Sequence, residues 1–203
     1  MPHDAIHVFG AWAEAGRAEP MGRSHAPRAS QALEQLPVRP GDRAIDLGCG
    51  EGWASRRLAV RTGPEGEVVG LDGSGAMLVR ARATPTSARY LLGDLLALPF
   101  DDGRFDHAFS MEALYYVDID AALAEVARVL RPGGHLAVCA DFYAEHEASH
   151  SWPEELGLTM DLRSQVGWER AVAAAGFRDV RSERLADPAK PSHPGTLAVF
   201  GVR

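Results

Sequence analysis

Apolar positions recur in two alternating patterns along most of this chain. Three segments with helical spacing predict amphipathic helices, at residues 53–59, 76–83 and 119–130. Five short apolar runs predict buried strands, at residues 44–47, 68–71, 88–92, 105–110 and 135–140. Strands that alternate with helices in this way favour right-handed βαβ units and a mostly parallel sheet.

The two ends of the chain depart from this alternation. Residues 6–17 and 29–36 have helical spacing, and the polar segment between them predicts an irregular chain. Residues 168–175 predict a helix, and 177–184 and 196–202 predict two last strands. Because the linker between these strands is too short for a crossover helix, we expect the pair to be antiparallel. The 203 residues suit a single domain.

The strand at 44–47 leads into a glycine-rich turn, Gly-Cys-Gly-Glu-Gly over residues 48–52, and Asp46 stands just before it. Glycines allow positive φ angles and leave no Cβ between the chain and a ligand. The free N–H groups of the helix that begins near Trp53 can then meet polar ligand atoms. This layout is typical of nucleotide-type cofactor sites, although a structural turn in any α/β protein is the alternative.

Two further acidic residues follow predicted strands. Asp72 lies 22 residues after Gly50, where a carboxylate can accept hydrogen bonds from both ribose hydroxyls of a nucleoside. NAD enzymes use the same device, and an N-cap for the next helix is the alternative role. Asp94 follows the third strand within the segment Gly-Asp-Leu-Leu-Ala-Leu-Pro-Phe, residues 93–100.

The ordered set of motifs resembles class I S-adenosylmethionine (SAM)-dependent methyltransferases. The G-x-G-x-G loop after Asp46 differs from the dinucleotide pattern G-x-G-x-x-G. The segments 93–100, 105–114 and 130–134, and Gly176-Phe177 before a strand, follow in the family's order. Within the class the chain is most similar to small-molecule enzymes related to quinone-biosynthesis C-methyltransferases. The resemblance implies a Rossmann-like α/β fold, with helices on both faces of a seven-stranded, mostly parallel sheet of order 3-2-1-4-5-7-6 and one antiparallel strand.

The resemblance also implies a function. The chain would transfer a methyl group from SAM to a small organic acceptor by in-line displacement, without a metal, and release S-adenosylhomocysteine (SAH). The alternatives are a SAM- or SAH-binding module without turnover and, less favoured, an NAD(P)-dependent oxidoreductase. The implied cofactor-binding residues are Arg17, Asp46, Gly48, Cys49, Gly50, Asp72, Gly73, Met77, Asp94, Leu95, Ser110 and Met111.

In this family the N-terminal segment often folds over SAM, and the region after the fifth strand covers the substrate. We therefore divide the domain, residues 1–203, into an N-terminal helical cap (1–40), a SAM-binding core (41–140), a substrate lid (141–167) and a closing helix and strand pair (168–203). The cap contains Arg17, Met21, Arg23 and His25, any of which can face SAM or the acceptor.

Three residues are candidates for a catalytic role. His25 is a candidate general base, because the unperturbed pKa of histidine is near neutral, and a surface position is its alternative. Tyr115, or its neighbour Tyr116, follows the fourth motif and is a candidate to line the pocket, with core packing as the alternative. His146 is a candidate for substrate contact from the lid.

Residues 146–150, His-Glu-Ala-Ser-His, formally match the zinc-peptidase motif H-E-x-x-H. No third ligand is evident in the sequence, and the surrounding motifs belong to another chemistry. We therefore predict no metal site, and expect lid contact or a solvated face for this segment.

Composition sets the remaining expectations. The net charge of −7, from 28 acidic and 21 basic residues, disfavours a broad nucleic-acid surface. No apolar run approaches the roughly 20 residues that span a membrane, and no signal-peptide pattern is seen. Cys49 and Cys139 are expected to be buried thiols. We expect a cytoplasmic monomer or homodimer whose partner is a small-molecule acceptor.

Overall fold

The structure, a computed structural model, describes residues 3–187 and 189–203. Seven strands form one sheet in the order β3-β2-β1-β4-β5-β7-β6. Only β7 runs antiparallel to its neighbours, β5 and β6. The strands are β1 (Arg43–Leu47), β2 (Glu67–Asp72), β3 (Arg89–Leu92), β4 (Phe105–Met111), β5 (Leu130–Ala140), β6 (Arg178–Leu185) and β7 (Thr196–Val202). The predicted topology is confirmed, including the antiparallel closing strand.

Helices cover both faces of this sheet, because successive strand residues point to opposite sides. Ala108 of β4 packs in the cluster that contains α5 and α7, whereas its neighbour Phe109 packs in the cluster that contains α2 and α3. The helices are α1 (His3–Glu14), α2 (Ala18–Gln35), α3 (Trp53–Thr62), α4 (Gly75–Ala83), α5 (Ile119–Val129), α6 (Trp152–Leu156) and α7 (Gln165–Ala174), with 3-10 turns at Leu114–Tyr116 and Glu147–Ser149. None of the helices in the described ranges has the length and apolar character to cross a membrane.

The prediction of an irregular segment before residue 29 is wrong, since α2 runs unbroken from Ala18 to Gln35. Pro20 lies in the first turn, where a backbone N–H has no helical partner to lose. Pro27 lies in the interior and removes one helical hydrogen bond. Burial of Ala29, Ala32 and Leu33 on the sheet outweighs that loss, so packing overrides local composition.

Polar contacts order the segment after β5. The Arg163 guanidinium donates to Asp120 at 2.7 Å and to Asp161 at 2.8 Å, which ties the segment to α5. Ser164 caps α7 by accepting a hydrogen bond from the Gly167 N–H. The short helix α6 forms in the middle of this segment, and it carries Trp152 towards the carboxyl ends of the strands.

Candidate active site

A cavity of about 300 Å³ opens at the carboxyl ends of β1, β2 and β4. Ligands of open α/β sheets bind at this edge, where strand order reverses around β1 and β4. The glycine loop and the residues after β4 form its floor, and α1, α2 and α6 contribute side chains from above. Of the residues predicted from the sequence, those that line the cavity are Gly48, Cys49, Gly50, Asp72, Met77, Met111, His25, Tyr115 and Tyr116.

Glycine is required in the loop by its backbone conformation and by its neighbours. Gly48 has φ of 69°, and a Cβ atom there would collide with the Cβ of Ala113. The N–H groups of Gly48 and Cys49 both donate to the Leu71 carbonyl, at 2.8 and 3.0 Å, which fixes the loop on β2. At Gly50 a Cβ would meet nothing within 4 Å, so the loop presents bare backbone to the cavity.

Asp72 is a buried carboxylate in the cavity wall. One oxygen accepts from the Gly50 N–H at 2.9 Å and the other from the Ser74 N–H at 2.7 Å. Burial raises its pKa, and these two N–H groups act in the opposite direction. The N-cap of α4 is Ser74, whose hydroxyl accepts from Met77 N–H, so the alternative role of Asp72 as that cap is wrong.

Asp46 lies beneath the glycine loop and does not line the cavity. Its side chain accepts a hydrogen bond of 2.5 Å from the Ser55 hydroxyl. Burial raises the pKa of Asp46 to about 7, partly offset by the bond from Ser55. Ser110 is similarly withdrawn, since its hydroxyl donates to the Leu47 carbonyl at 3.0 Å. Through these hydrogen bonds both residues stabilise the backbone that forms the cavity floor.

Several other predicted residues lie outside the cavity lining. Arg17 is exposed between α1 and α2, and its backbone N–H donates to the Trp12 carbonyl. Arg23 is exposed and pairs with Glu19 of the same helix. The side chain of Met21 lies outside the described part of the chain. Gly73, Asp94 and Leu95 follow β2 and β3, and among them Asp94 is exposed and Leu95 is buried.

Glu112 is the first residue after β4 and lines the cavity. It has φ of 56°, a left-handed conformation that is uncommon outside glycine. Its backbone N–H donates to the Cys139 carbonyl at 3.0 Å. Its carboxyl group accepts from the Tyr115 hydroxyl at 2.5 Å and from the Asp141 N–H. Burial, reinforced by the charge of Asp141, raises the pKa of Glu112 well above its ordinary value.

A buried ion network lies behind Glu112. The Arg28 guanidinium of α2 donates to Asp141, just after β5, at 2.8 Å and to the Thr196 hydroxyl of β7 at 2.7 Å. Thr196 in turn donates to the second oxygen of Asp141 at 2.5 Å. Arg28 is also 3.5 Å from the Asp187 carboxylate. The network therefore joins α2 to the ends of β5 and β7.

His25 lies one helical turn before Arg28 and faces both the cavity and this network. Burial lowers its pKa to about 4, against the opposing effect of the Asp141 charge. The imidazole is therefore neutral and weakly basic at physiological pH, which removes the reason for choosing it as the general base. Donor atoms of His25, Glu112 and Asp141 lie within 4.8 Å of one another. The Arg28 guanidinium lies 2.8 Å from Asp141, so a cation already balances the charge of this carboxylate.

Tyr115 is buried, and its hydroxyl is committed to Glu112. Burial, together with the neighbouring Glu112 charge, raises its pKa well above the ordinary value, so the phenol stays protonated. Its ring contacts that of Tyr116, with centroids 4.5 Å apart, and Tyr116 contacts Phe9 of α1 edge-on at 5.0 Å. Phe9 in turn contacts Trp12 at 5.5 Å. We call these four rings the aromatic wall.

The histidines of the segment after β5 do not line the cavity. His146 is buried, with Nδ1 2.6 Å from the Asp141 carbonyl oxygen, and its ring contacts His193 and Trp152. His150 Nε2 is 3.1 Å from the Ala144 carbonyl oxygen. The intervening residues form a 3-10 turn, so the two rings do not share a helical face as in zinc peptidases. Trp152, Glu155 and Leu156 of α6 reach the cavity instead.

Sequence reasoning missed Glu112 and the rings of Phe9, Trp12, Trp53 and Trp152. Glu112 could have been found by asking which ionisable residue follows each predicted strand, the rule that identified Asp72 and Asp94. The rings of Phe9, Trp12 and Trp152 carry no such signal, because tertiary packing brings helices α1 and α6 to the cavity, whereas Trp53 directly follows the glycine loop.

Comparison with known proteins gives one family match and many relatives. Residues 45–138 match the model of a family described as "Methyltransferase domain". The methyltransferase GfsG of Streptomyces halstedii is 32% identical over 98% of this chain and 75% of that protein. The 2-phytyl-1,4-naphtoquinone methyltransferase of Synechocystis sp. is 39% identical over 60% of this chain and 53% of that protein. The chain spans about half the length of most curated relatives it matches.

Among solved structures, one similar chain comes from the complex between the Haloferax volcanii Trm112 methyltransferase activator and a methyltransferase. It has a TM-score of 0.88 and 36% sequence identity, over 96% of both chains. The fold predicted from the sequence therefore agrees with that of a similar solved chain.

Proposed function

The chain belongs to the SAM-dependent methyltransferase family, and we propose that it transfers the methyl group of SAM to a small organic acceptor bound in this cavity. The conformation of the glycine loop is the observation that carries the proposal. Three alternate glycines have positive φ, and the bare backbone at Gly50 faces the cavity beside the Asp72 carboxylate. Dinucleotide and nucleoside sites share this pairing of loop and carboxylate, and the family selects SAM.

The residues present fit SAM. Asp72 keeps free lone pairs beyond its two backbone partners, so it can accept from ribose hydroxyls. Met77 and the aromatic ring of Trp53 provide apolar surface around the loop. When bound, SAM supplies a methyl group on a sulfonium, which is already an activated leaving group. The protein's own contribution is then to exclude water and to hold the acceptor in line.

Binding of SAH tests the assignment of the cofactor site. Replacing Asp72 with Ala removes the carboxylate, and we expect SAH affinity measured by calorimetry to fall at least tenfold. Asp101→Ala is the matched control, because Asp101 is exposed and lies before β4, away from the cavity. Unchanged affinity in Asp72→Ala would contradict the assignment.

Turnover separates an enzyme from a module that only binds SAM. The purified chain, supplied with SAM carrying a radioactive methyl group and an acceptor panel of amines, phenols and carboxylic acids, should label at least one acceptor. SAH binding without labelling of any acceptor would favour the binding module. NADH binding in place of SAH would favour the oxidoreductase.

A protein partner is a second proposal, since the similar Haloferax methyltransferase was solved with its Trm112 activator. The two sheet edges differ in how they are protected. Edge strand β6 carries charged residues and an irregular register near Asp179, features that discourage further pairing. Edge strand β3 is short and regular, with Leu92 59% exposed and Leu91 and Leu96 also exposed. We assign β3 as the edge at which an activator of this type binds.

Size-exclusion chromatography with the Haloferax volcanii Trm112 protein tests this assignment. We expect a 1:1 complex with the unmodified chain and none with Leu92→Glu. Val60→Glu is the matched control, because Val60 is 83% exposed on α3 and lies on another surface. A complex that survives Leu92→Glu and is lost in Val60→Glu would overturn the choice of edge.

A further inference from the structure

The part of the cavity around the turn after β4 is aromatic and acidic. Apart from the Cys49 thiol and the phenols of Tyr115 and Tyr116, the ionisable groups that line the cavity are carboxyl groups and the neutral imidazole of His25. No lysine or arginine is among the described residues that line it. Six rings line the cavity, from Phe9, Trp12, Trp53, Tyr115, Tyr116 and Trp152. Aromatic faces and carboxylates bind cations and give an anionic acceptor no ionic partner.

The carboxyl groups of the cavity divide by position. Asp72 and Glu51 lie on the cofactor side, the first at the end of β2 and the second in the glycine loop, where it faces Arg56. Glu155 is exposed at the rim on α6. Glu112 alone among them follows β4, and the Tyr115 hydroxyl connects it directly to the aromatic wall. A cation that lies at the Tyr115 end of the aromatic wall is therefore next to the Glu112 carboxyl group.

We propose that the acceptor is an amine, that the aromatic wall and Glu112 recognise its ammonium form, and that Glu112 removes its proton. The inference rests on the proposed methyl transfer and names the substrate class of the same cavity. In the proton step an N–H bond of the ammonium breaks and an O–H bond forms on the Glu112 carboxylate. The nitrogen keeps the electron pair, which then forms the bond to the methyl carbon as the sulfur takes the electrons of the broken S–C bond.

The setting of Glu112 suits a proton acceptor better than that of His25. Burial and the Asp141 charge both favour the protonated carboxyl group, so the carboxylate is more basic than an exposed glutamate. Arg28 and the Tyr115 hydroxyl act in the opposite direction. His25 faces the same point from α2, and burial makes it a weaker base than an exposed histidine. The left-handed backbone of Glu112, held through Cys139, is a strained conformation of the kind found at functional positions.

Binding of a cation that cannot be methylated tests recognition apart from turnover. The probes are benzyltrimethylammonium, phenylacetate and benzyl alcohol, titrated in the presence of saturating SAH. Tryptophan fluorescence is the readout, since Trp12, Trp53 and Trp152 line the cavity. We expect the dissociation constant of the ammonium probe to be at least about tenfold lower than those of the other two. Equal or tighter binding of phenylacetate or benzyl alcohol would overturn the proposal, and this comparison needs no variant.

Glu112→Gln then assigns the preference to one residue. We expect the variant to bind the ammonium probe about tenfold more weakly and SAH within about twofold of the unmodified chain. Glu154→Gln is the matched control, an exposed residue of α6 that does not line the cavity. An unchanged dissociation constant for the ammonium probe in Glu112→Gln would overturn the role of this residue.

Turnover of benzylamine tests the proton step. In the unmodified chain kcat/KM should fall as the pH is lowered through the raised pKa of Glu112, because the protonated carboxyl group cannot take another proton. Glu112→Gln should lose this dependence and most of kcat. SAH binding is measured on the same samples. If the unmodified chain does not bind SAH, the result counts against the proposed methyl transfer itself. If SAH binds but only phenols or carboxylic acids become labelled, the assignment of an amine acceptor is overturned and the proposed methyl transfer stands.

Discussion

The two ends of the cavity are built in different ways. The cofactor end is made of backbone, where Gly48 has no room for a methyl group against Ala113 and Gly50 presents bare main chain to the cavity. The acceptor end is made of side chains from α1, α2, α6 and the turn after β4, segments far apart in the sequence. The difference teaches that rigid main chain suits a methyl donor shared by many enzymes. The acceptor is selected by side chains, which can vary without disturbing the donor site.

The acceptor end depends on the buried network around Arg28, so breaking it should have the largest effect. Arg28→Met leaves Asp141 buried without its cation, and we expect the free energy of unfolding to fall by about 3–5 kcal/mol. Arg23→Met on the same helix removes only an exposed pair and should cost less than about 1 kcal/mol. Chemical denaturation measures both. Equal losses in the two variants would mean that the buried network does not support the acceptor end.

Gly48→Ala tests the packing of the cofactor end. The new methyl group collides with Ala113 and φ is positive, so we expect a loss of about 2–4 kcal/mol in stability and no measurable SAH binding. Gly157→Ala, at a left-handed position with φ of 64° and ψ of 34°, meets nothing within 4 Å, and it should cost about 1–2 kcal/mol and keep SAH binding. Calorimetric titration of both variants checks this. Retained SAH affinity in Gly48→Ala would show that the loop is less rigid than its packing indicates.

Asp46 makes the cofactor end sensitive to pH. Its pKa is about 7 in the folded chain and about 3.9 when unfolded, so the folded state binds more protons between these values. Its contribution to stability is therefore complete below about pH 4 and is lost as the pH rises towards 7. Asp46→Asn should reduce the fall in unfolding free energy between pH 5 and pH 7.5 by about 2–3 kcal/mol. Identical pH profiles for the two proteins would contradict the shifted pKa.

Trp152→Ala tests the acceptor end at its edge. The ring lines the cavity from α6, so its loss should raise KM for the acceptor about tenfold and leave SAH affinity unchanged. His150→Ala, in the same segment, should change neither quantity, because its ring contacts only backbone at the surface. Steady-state kinetics provide the comparison. A larger rise in KM from His150→Ala than from Trp152→Ala would support the substrate contact predicted from the sequence for the histidines of this segment.

The sequence predicted the sheet order correctly, and several of the predicted cofactor residues line the cavity, because both features follow from short local patterns. A strand, a glycine loop and a carboxylate at fixed spacing leave few alternatives, and Gly48, Gly50 and Asp72 line the same cavity. That they bind the cofactor stays a prediction. The acceptor end could not be predicted in the same way. His25 and His146 were chosen by residue type, but burial weakens the first as a base and the contacts of the second hold it against the backbone.

Local composition also misjudged α2. Two prolines and a polar stretch predicted an irregular chain, whereas packing against the sheet and the Arg28 network hold a continuous helix. Glu112 was overlooked because its role depends on a left-handed backbone and on Tyr115 and Asp141, which only the folded chain brings to it. Tertiary contacts thus determine both the shape and the charge of the acceptor end.

SAH affinity measured side by side in Asp72→Asn and Glu112→Gln tests the division of the cavity most directly. Both substitutions remove one carboxylate from the cavity lining and keep the side-chain shape. We predict that Asp72→Asn loses at least tenfold in SAH affinity, while Glu112→Gln stays within about twofold of the unmodified chain. Equal losses in the two variants, or a loss confined to Glu112→Gln, would contradict the separation of a cofactor end from an acceptor end.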